Sequence, residues 1–503
     1  MSDQINTSRN RTSLAWPRRA LVLTVLLAGL WNRLAGIEAN PQPFAVQEEC
    51  YFLWSGLSLL TEGRPTSWSN RVAYRLSHEK DGRVVWMPSV QWRDRNFIMV
   101  RPALDYPPLF SLVAGLFARM TGAHRVAAPQ WDGTTFPMWD VDLGRARLLA
   151  LILYCATFLL LFEVGRRVFS FEVALLAALL YAFIAPVVAC NRLIVAENMT
   201  TPLFLLDLWA VQRYATRRWS QRAFALVVVP SIAAALLCNP VDVAQAAAVI
   251  YALLLLGRRR ETIYPILGVL LGGALWLAYG WWQGWPTFCA VLGAQFGPLR
   301  NFNVLTGLLT VPALLGLPSF SYLLFLGWLA LFAALFYRPR ERAVPDALLP
   351  SPCPPRTGSA RGGSDKAAAA SSGTALLGAP LIYLLVASFF TSFPASDYWR
   401  ALPFYPFLCL ALADVIVRVH RRCDVLPFAC LIVLMLPGAV DVVFYSHAGQ
   451  GRFIRLAYLV GVPLLLLLPF AGGHTNQRTV RFTTICVLAL ALLGEFWTTR
   501  LGI

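Results

Sequence analysis

Two adjacent carboxylates, Glu48 and Glu49, are the side chains of this 503-residue chain best placed for chemistry. They open the stretch Glu48–Gly63, which follows the first hydrophobic segment, Ala20–Gly36, and has the character of a short helix closed by glycine. Adjacent carboxylates just outside a bilayer are poorly placed for packing. A carboxylate within hydrogen-bond reach of an acceptor group can take its proton. The alternative is a solvated pair, or a helix N-terminal pair favoured by the helix dipole.

Further polar residues are predicted on the same side of the membrane as the acidic pair. The acids are Asp105 and Glu197, and the bases that could hold a phosphate are Arg101, Arg192, Arg300 and Arg400. Arginine binds phosphate through two parallel hydrogen bonds and is always charged. Carboxylates and guanidinium groups on one membrane face suit a reaction between a lipid phosphate and an acceptor hydroxyl or amine.

The composition indicates a polytopic membrane protein of the all-α class. Hydrophobic residues make up 57% of the chain and charged residues only 14%, whereas a soluble domain has roughly 25% charged residues. The net charge of +17 comes from arginine clusters between apolar runs, which is typical of cytoplasmic loops rather than a nucleic-acid face. Ten scattered cysteines without a C-x-x-C pair and five unpaired histidines predict no clustered metal site and no cofactor. They favour a metal-independent mechanism, although the sequence leaves a metal requirement open.

Hydrophobic segment length predicts about thirteen membrane spans, since a spanning helix needs about 20 apolar residues. The predicted spans are Ala20–Gly36, Ala146–Val164, Ser170–Ala189, Thr201–Ala215, Ala223–Leu237, Val243–Leu256, Thr262–Trp282, Ser319–Tyr337, Ala375–Ser392, Ala401–Val417, Leu426–Phe444, Leu456–Phe470 and Phe482–Phe496. Their arginine-rich loops place the N-terminus in the cytoplasm and the acidic pair outside, in a multi-pass protein of the inner (plasma) membrane.

Four regions follow from this topology. Residues 1–19 form a cytoplasmic N-terminus, and residues 20–337 form a catalytic transmembrane region with a long external loop, 37–145. Within that loop Pro108–Thr121 is too short to span and is predicted to lie along the membrane surface. Residues 338–374 form a flexible cytoplasmic linker rich in Pro, Gly, Ser and Ala, and residues 375–503 form a C-terminal transmembrane region.

Five motifs in this order resemble those of the GT-C superfamily of lipid-dependent glycosyltransferases. Glu48-Glu49-x-x-Phe52 with Gly63 resembles the Asp-Glu-x-x-Tyr…Gly motif of the first external loop in that superfamily. The branch is that of the bacterial relatives of protein O-mannosyltransferases and of the lipid A aminoarabinose transferase. The other four similar segments are Asp105-Tyr106-Pro107-Pro108-Leu109, Arg147-Leu148-Leu149 with Gly165-Arg166-Arg167-Val168-Phe169, Asn191–Glu197, and Tyr398–Pro403 with Tyr405-Pro406.

The resemblance implies a GT-C-type fold and inverting transfer of a sugar from a polyprenyl-phosphate donor. The acceptor would be a lipid, a glycan or a protein on the external (periplasmic) face, and no nucleic acid is involved. Glu48 would be the base that activates the acceptor, Glu49 its neighbour, and Glu197 would orient the acceptor or the sugar. The residues implied for substrate binding are Arg101, Asp105, Tyr106, Arg192, Tyr398 and Arg400.

The chain departs from the family motifs at three of these positions. Glutamates stand at 48 and 197 where the family has aspartates, which lengthens each side chain by one methylene. Tyr106 replaces the lysine before Pro-Pro, and Arg101 is the candidate for the missing cation. Structural roles remain open for several residues: Glu197 as a cap of the helix near Thr200, and Arg400 as an interfacial anchor.

Two other functions compete with sugar transfer. A transporter or lipid flippase is favoured by the Asn239-Pro240 break, although no internal repeat is present. Transport predicts that buried charges gather at the bilayer midplane, and transfer predicts that they gather at the external leaflet. A scaffold subunit without activity predicts that Glu48 and Glu197 point away from a common cavity.

Overall fold

A computed structural model describes residues 15–38, 43–80, 84–92, 95–127, 130–131, 134–135, 138–296, 323, 326–327, 329–331, 376–387, 398–422 and 477–501. The described part is mostly helical. The linker 338–374, Arg300 and the predicted spans Leu426–Phe444 and Leu456–Phe470 lie outside these residues. Among the described residues, four helices are long and apolar enough to cross a membrane, so the count of about thirteen spans stays a prediction.

The first third of the chain combines one long helix with residues 43–141, which the sequence predicts to be an extramembrane segment. In chain order its elements are α1 (Ala15–Leu34), α2 (Pro43–Glu62), β1 (Ser67–Trp68), α3 (Val72–Lys80), β2 (Val85–Trp92), β3 (Arg95–Arg101), α4 (Pro108–Met120), β4 (His124–Ala127), β5 (Gln130–Trp131), β6 (Thr134–Thr135) and β7 (Met138–Val141). Helix α4 confirms the short helix predicted at Pro108–Thr121, and proline suits its first turn because the N–H of that position is unpaired in any helix.

The rest of the described chain is a helical bundle. Its elements are α5 (Leu143–Ala146), α6 (Leu148–Val168), α7 (Phe171–Phe183), α8 (Ala185–Cys190), α9 (Glu197–Ala215), α10 (Gln221–Cys238), a 3-10 helix (Pro240–Asp242), α11 (Val243–Leu255), a 3-10 helix (Arg259–Thr262), α12 (Ile263–Phe296), α13 (Leu376–Ala387), a 3-10 helix (Tyr398–Phe404), α14 (Tyr405–Arg422) and α15 (Gln477–Leu501).

Two predicted spans are corrected by the structure. The single span predicted at Ser170–Ala189 is divided into α7 and α8 at Ile184, whose extended backbone precedes Pro186, a residue without an N–H for helix continuation. The span predicted to end at Trp282 continues to Phe296 across a kink at Gly284, where φ is +137°. The hydropathy pattern did not predict the part of α12 after Gly284, because the kink depends on a backbone conformation at this residue that glycine tolerates and hydropathy does not report.

The described chain is mostly helical, as predicted, but the segment predicted to lie outside the membrane also contains strands, which were not predicted. Three small antiparallel sheets form there, and the largest has the order β1-β3-β2. Phe97, Met99 and Val100 of β3 are buried in the same hydrophobic cluster as Trp54 of α2. The two longest strands do not alternate regularly between apolar and polar residues. Strand β3 contains a continuous apolar run at residues 97–100, and β2 contains Pro88 and a register shift between Met87 and Val90, so no strand pattern is visible in the sequence there.

Helix α2 is packed tightly against α4. Gly56 and Gly115 lie at the crossing, where a methyl group added to Gly56 would be 1.8 Å from the backbone oxygen of Ser111. Gly63 then ends α2 with φ +69°, as the sequence predicted. The crossing fixes the position of α2, and with it the two carboxylates on its second turn.

Candidate active site

The two adjacent glutamates have different surroundings, because successive residues of a helix point about 100° apart. Glu49 is fully buried and forms a bidentate ion pair with Arg147, whose Nε and Nη2 lie 2.8 and 2.7 Å from its carboxylate oxygens. Its Oε1 also accepts a hydrogen bond from the Ile194 backbone N–H at 3.0 Å, and Arg147 Nη1 donates to the Ile37 carbonyl. Glu49 therefore joins α2 to the start of α6 and to the α8–α9 loop.

Glu48, by contrast, is half-buried and bonded to a tyrosine. The Tyr106 hydroxyl lies 3.2 Å from Oε2 and 3.4 Å from Oε1 of Glu48. Burial and the neighbouring Glu48 charge hold the pKa of Tyr106 well above its usual value, so the phenol stays protonated and donates to the carboxylate. This bond orients Glu48 without consuming its ability to accept a proton.

Helix α2 also positions Tyr106. The Tyr51 hydroxyl accepts hydrogen bonds from the backbone N–H groups of Asp105 and Tyr106, at 3.1 and 3.3 Å. The Tyr106 ring packs against the rings of Tyr51 and Phe52, with centroids 5.0 Å away in each case. Tyr106, which stands where the family motif has a lysine, therefore packs its ring against two aromatic residues and donates its hydroxyl to Glu48.

Charges from four separate chain segments act on the Tyr106 hydroxyl. Glu48 raises its pKa, Arg400 lowers it, and Glu197 and Asp105 raise it further. The structure therefore brings Glu48, Tyr106, Glu197 and Arg400 into one electrostatic neighbourhood. Arg400 is half-buried and lies on the 3-10 helix Tyr398–Phe404. The backbone of Tyr398 belongs to the same 3-10 helix, and its side chain lies outside the described part.

Glu197 is the first residue of α9, after Ala196 at the N-cap, whose side chain has no capping group. Glu197 Oε1 accepts a hydrogen bond from Asn239 Nδ2 at 3.3 Å. Asn239 and Asp242 are two residues near Glu197 that were not selected as site residues from the sequence. Asp242 lies in the 3-10 helix after Asn239 and accepts a 2.5 Å hydrogen bond from the Tyr383 hydroxyl of α13. The Asn239-Pro240 break was the one sequence signal for this region.

Asp105 and Arg101 are engaged within the extramembrane segment. Asp105 Oδ1 lies 3.0 Å from Arg71 Nε and accepts from the Tyr74 hydroxyl at 3.2 Å, and burial raises its pKa despite the arginine. Arg101 forms a 2.7 Å ion pair with Glu62 at the far end of α2. Fourteen residues separate Glu62 from Glu48, or about 21 Å along the helix, so the structure does not bring Arg101 to Glu48.

Arg192 contacts the C-terminal end of α1. Its Nη2 donates to the carbonyls of Asn32 and Ala35 at 2.7 and 2.9 Å, and its Nε donates to the Arg33 carbonyl at 3.2 Å. Arg33 in turn donates to Asn191 Oδ1 at 2.9 Å. This reciprocal pair of contacts, which we call the α1 clasp, fixes the α8–α9 loop that leads to Glu197.

Metal ligands do not cluster in the described part of the chain, where no group of three His, Cys, Asp or Glu side chains could hold an ion. The side chains at the site are a half-buried carboxylate held by a phenol, a second carboxylate held by an amide, and a guanidinium. Such a set can deprotonate a hydroxyl or an amine next to a bound anion.

The chain was compared with known proteins in three ways. The family model described as dolichyl-phosphate-mannose-protein mannosyltransferase matches residues 139–282. No curated protein sequence matches. Among solved structures, ArnT from Cupriavidus metallidurans in the apo state is similar with a TM-score of 0.50 and 12% identity, over 98% of this chain and 78% of that one.

Two further solved structures are similar at lower scores. ArnT from the same organism bound to undecaprenyl phosphate has a TM-score of 0.46 and 13% identity, over 98% of this chain and 78% of that one. The archaeal oligosaccharyltransferase AglB from Archaeoglobus fulgidus, in complex with an inhibitory peptide and a dolichol-phosphate, has 0.44 and 12%, over 97% and 56%. The family-model match and the fold shared with apo ArnT confirm the resemblance of this chain to GT-C polyprenyl-phosphate-dependent glycosyltransferases.

Proposed function

We propose that the protein is a membrane glycosyltransferase that moves a sugar from a polyprenyl-phosphate donor to an acceptor on the external face, with inversion at the anomeric carbon. Glu48 is the general base. The observation that carries this proposal is the contact of the Tyr106 hydroxyl with the half-buried carboxylate of Glu48, at 3.2 and 3.4 Å. The charges of Arg400 and Glu197 also act on the same hydroxyl, so a cation and a second carboxylate accompany the base, and these are the groups that such a transfer uses.

In the proposed step, Glu48 accepts the proton of an acceptor hydroxyl or amine as that group attacks the anomeric carbon. The new bond forms as the bond from that carbon to the phosphate oxygen breaks, and the polyprenyl phosphate leaves as an anion. Arg400 is the cation that balances the phosphate charge, since guanidinium groups pair with phosphate oxygens. Glu197, held by Asn239, orients the sugar or the acceptor.

Glu49 has a positioning role in this proposal. Its carboxylate is buried and accepts three hydrogen bonds from Arg147 and Ile194, so it is not open to a substrate. It holds the α8–α9 loop against α2, which keeps Glu197 near Glu48. Arg192 acts similarly through the α1 clasp.

The test is the transfer of radiolabelled sugar from polyprenyl-phosphate donors in membranes that contain the wild-type protein or Glu48→Gln. We expect transfer with the wild type and a loss of at least about 100-fold in the variant, the scale of general-base catalysis. Glu79→Gln is the matched control, since Glu79 is an exposed acid of the same extramembrane segment and should leave transfer unchanged. Full transfer by Glu48→Gln would remove Glu48 from the mechanism.

One observation favours the competing transport function. Asp207 is fully buried within α9, and its Oδ2 accepts a 2.6 Å hydrogen bond from Gln245 Nε2 of α11. Intramembrane carboxylates are often functional in transporters. Asp207→Asn separates the two functions: it should abolish substrate movement in a transporter, whereas in a transferase with its site at Glu48 it should leave transfer within a few-fold of wild type. A scaffold subunit without activity is the third alternative, and it predicts no transfer by the wild-type protein in the sugar-transfer assay.

A further inference from the structure

A groove lies at the end of the bundle opposite the candidate active site. It has a volume of about 630 Å³ and runs between α1 and α6 up to the start of α7. Its lining is mostly apolar, with a polar rim at one end; the lining residues are Arg18, Arg19, Val22, Leu23, Leu26, Leu159, Phe162, Glu163, Arg166 and Phe171. Arg147, which binds Glu49, precedes Arg166 by nineteen residues, or about 29 Å of helix, close to the thickness of a bilayer core.

The rim of the groove is positively charged. Three arginines, Arg18, Arg19 and Arg166, face a single acid, Glu163, which is paired with Arg166 Nε. Arg18 lies over the Phe171 ring with its guanidinium carbon 5.1 Å from the centroid. Arg19 is exposed and has no hydrogen bond or ion pair to any residue that the structure describes. The rim therefore keeps a net positive charge and at least one unused guanidinium group.

The walls of the groove below the rim are apolar and long enough to contact a hydrocarbon chain. The two helices run in opposite directions, so Leu26 of α1 and Leu159 of α6 both lie seven residues, or about 10 Å, below the rim arginines. Leu23 and Leu159 are more than half exposed, with 54% and 52% of their surfaces accessible. An amphiphile with an anionic head at the rim would cover these leucines, whereas a free anion would leave them bare.

We propose that this groove binds one anionic phospholipid of the membrane leaflet opposite the active site. Its phosphate would be held by Arg18, Arg19 and Arg166, and one acyl chain would lie along the leucines of α1 and α6. The sign of the rim, the apolar walls and the depth of the groove all complement such a lipid. The bound lipid would fix the start of α1 against α6, at the opposite end of α1 from the α1 clasp.

The test counts lipids retained by the purified full-length protein in native mass spectrometry. The probes are dioleoylphosphatidylglycerol, dioleoylphosphatidylcholine and inorganic phosphate. The variant is Arg18→Gln/Arg19→Gln, in which both replaced side chains are exposed. The matched control is Arg218→Gln/Arg222→Gln, which removes the same charge from exposed residues at the same end of the bundle, outside the groove. Leu23→Glu places a negative charge within the groove as a second, independent block.

We expect the wild type and the control variant to retain one phosphatidylglycerol more tightly than the Arg18/Arg19 variant, by about 30-fold for the loss of two cations near the lipid. Leu23→Glu should weaken binding as well. Equal retention of phosphatidylglycerol by wild type and the Arg18/Arg19 variant would overturn the proposal. The proposal would also be overturned if the wild type retained phosphatidylcholine as tightly as phosphatidylglycerol. Displacement of the lipid by inorganic phosphate alone would overturn it as well, because it would indicate a simple anion site.

Discussion

The two adjacent glutamates should respond in opposite ways to the same substitution. Glu49→Gln should destabilise the protein strongly, whereas Glu48→Gln should leave it folded and inactive. The reason is the difference in their partners: Glu49 neutralises a fully buried arginine, and Glu48 accepts from a neutral phenol. A glutamine at position 49 would turn an amide donor towards the donors of Arg147.

The magnitude follows from the contacts. Glu49→Gln leaves the Arg147 charge buried without a counter-ion, and breaking a buried pair on one side costs about 3–5 kcal/mol. Glu48→Gln keeps a carbonyl oxygen that can accept from Tyr106, so its cost should stay below about 1 kcal/mol. The double variant Glu49→Gln/Arg147→Gln should be less destabilised than the sum of the single variants by more than about 1 kcal/mol, because the two residues are in direct contact.

The assay is unfolding of the purified protein in mixed micelles with increasing sodium dodecyl sulfate, followed by tryptophan fluorescence. Wild type, both single glutamine variants, Arg147→Gln and the double variant are compared in one detergent. Equal stability of the Glu49→Gln and Glu48→Gln variants would refute the assignment of separate roles. Strict additivity of Glu49→Gln and Arg147→Gln would refute the contact between them.

Three further predictions concern the scaffold and the site. Gly56→Ala should destabilise the fold by about 1–3 kcal/mol or more because its methyl would meet the backbone of α4, while Gly273→Ala, with open space at its Cβ, should be neutral or stabilising in the same unfolding assay. Tyr106→Phe removes the hydroxyl that orients the proposed base and should lower kcat about 2- to 10-fold, with sugar transfer as the measurement and an unchanged rate as the contrary result. The pKa of Asp105 is raised in the folded protein, so protonation of Asp105 favours folding at low pH, and this contribution is lost as the pH rises through that pKa. The free energy of unfolding of the wild type, relative to Asp105→Asn, should therefore fall from about pH 4 upwards. A difference between the two proteins that does not change with pH would contradict this reasoning.

Much of the scaffold could be predicted from the sequence because apolar length is a local property. The bounds of α4, α10 and α11 agree with prediction to within two residues, since each is bordered by charged residues, proline or a turn. The break at Ile184 and the continuation beyond Gly284 were missed because each depends on the backbone angles of one residue. The largest sheet was missed because β2 and β3 do not alternate regularly between apolar and polar residues, and the other strands have four residues or fewer.

The site was predictable in its composition but not in its division of roles. Glu48, Tyr106, Glu197 and Arg400 were all selected from the sequence. In the structure Tyr106 bonds to Glu48, and the charges of Glu197 and Arg400 act on the Tyr106 hydroxyl. That Glu49 faces Arg147 instead of the site depends on an approach between residues 98 positions apart. Asp242 was passed over for the same reason, since its partner, Tyr383, is 141 positions away.

The α1 clasp has a consequence for the assembly of the protein in the membrane. The α8–α9 loop, which leads to Glu197, is bound to the end of α1 through Arg192 and to α2 through Glu49. A chain whose first helices have been inserted, but whose later helices are still being synthesised, therefore contains Glu48 without the loop that carries Glu197. Under the proposed function, sugar transfer would then begin only after membrane insertion is complete, and a half-made chain would not release a lipid-linked sugar into water.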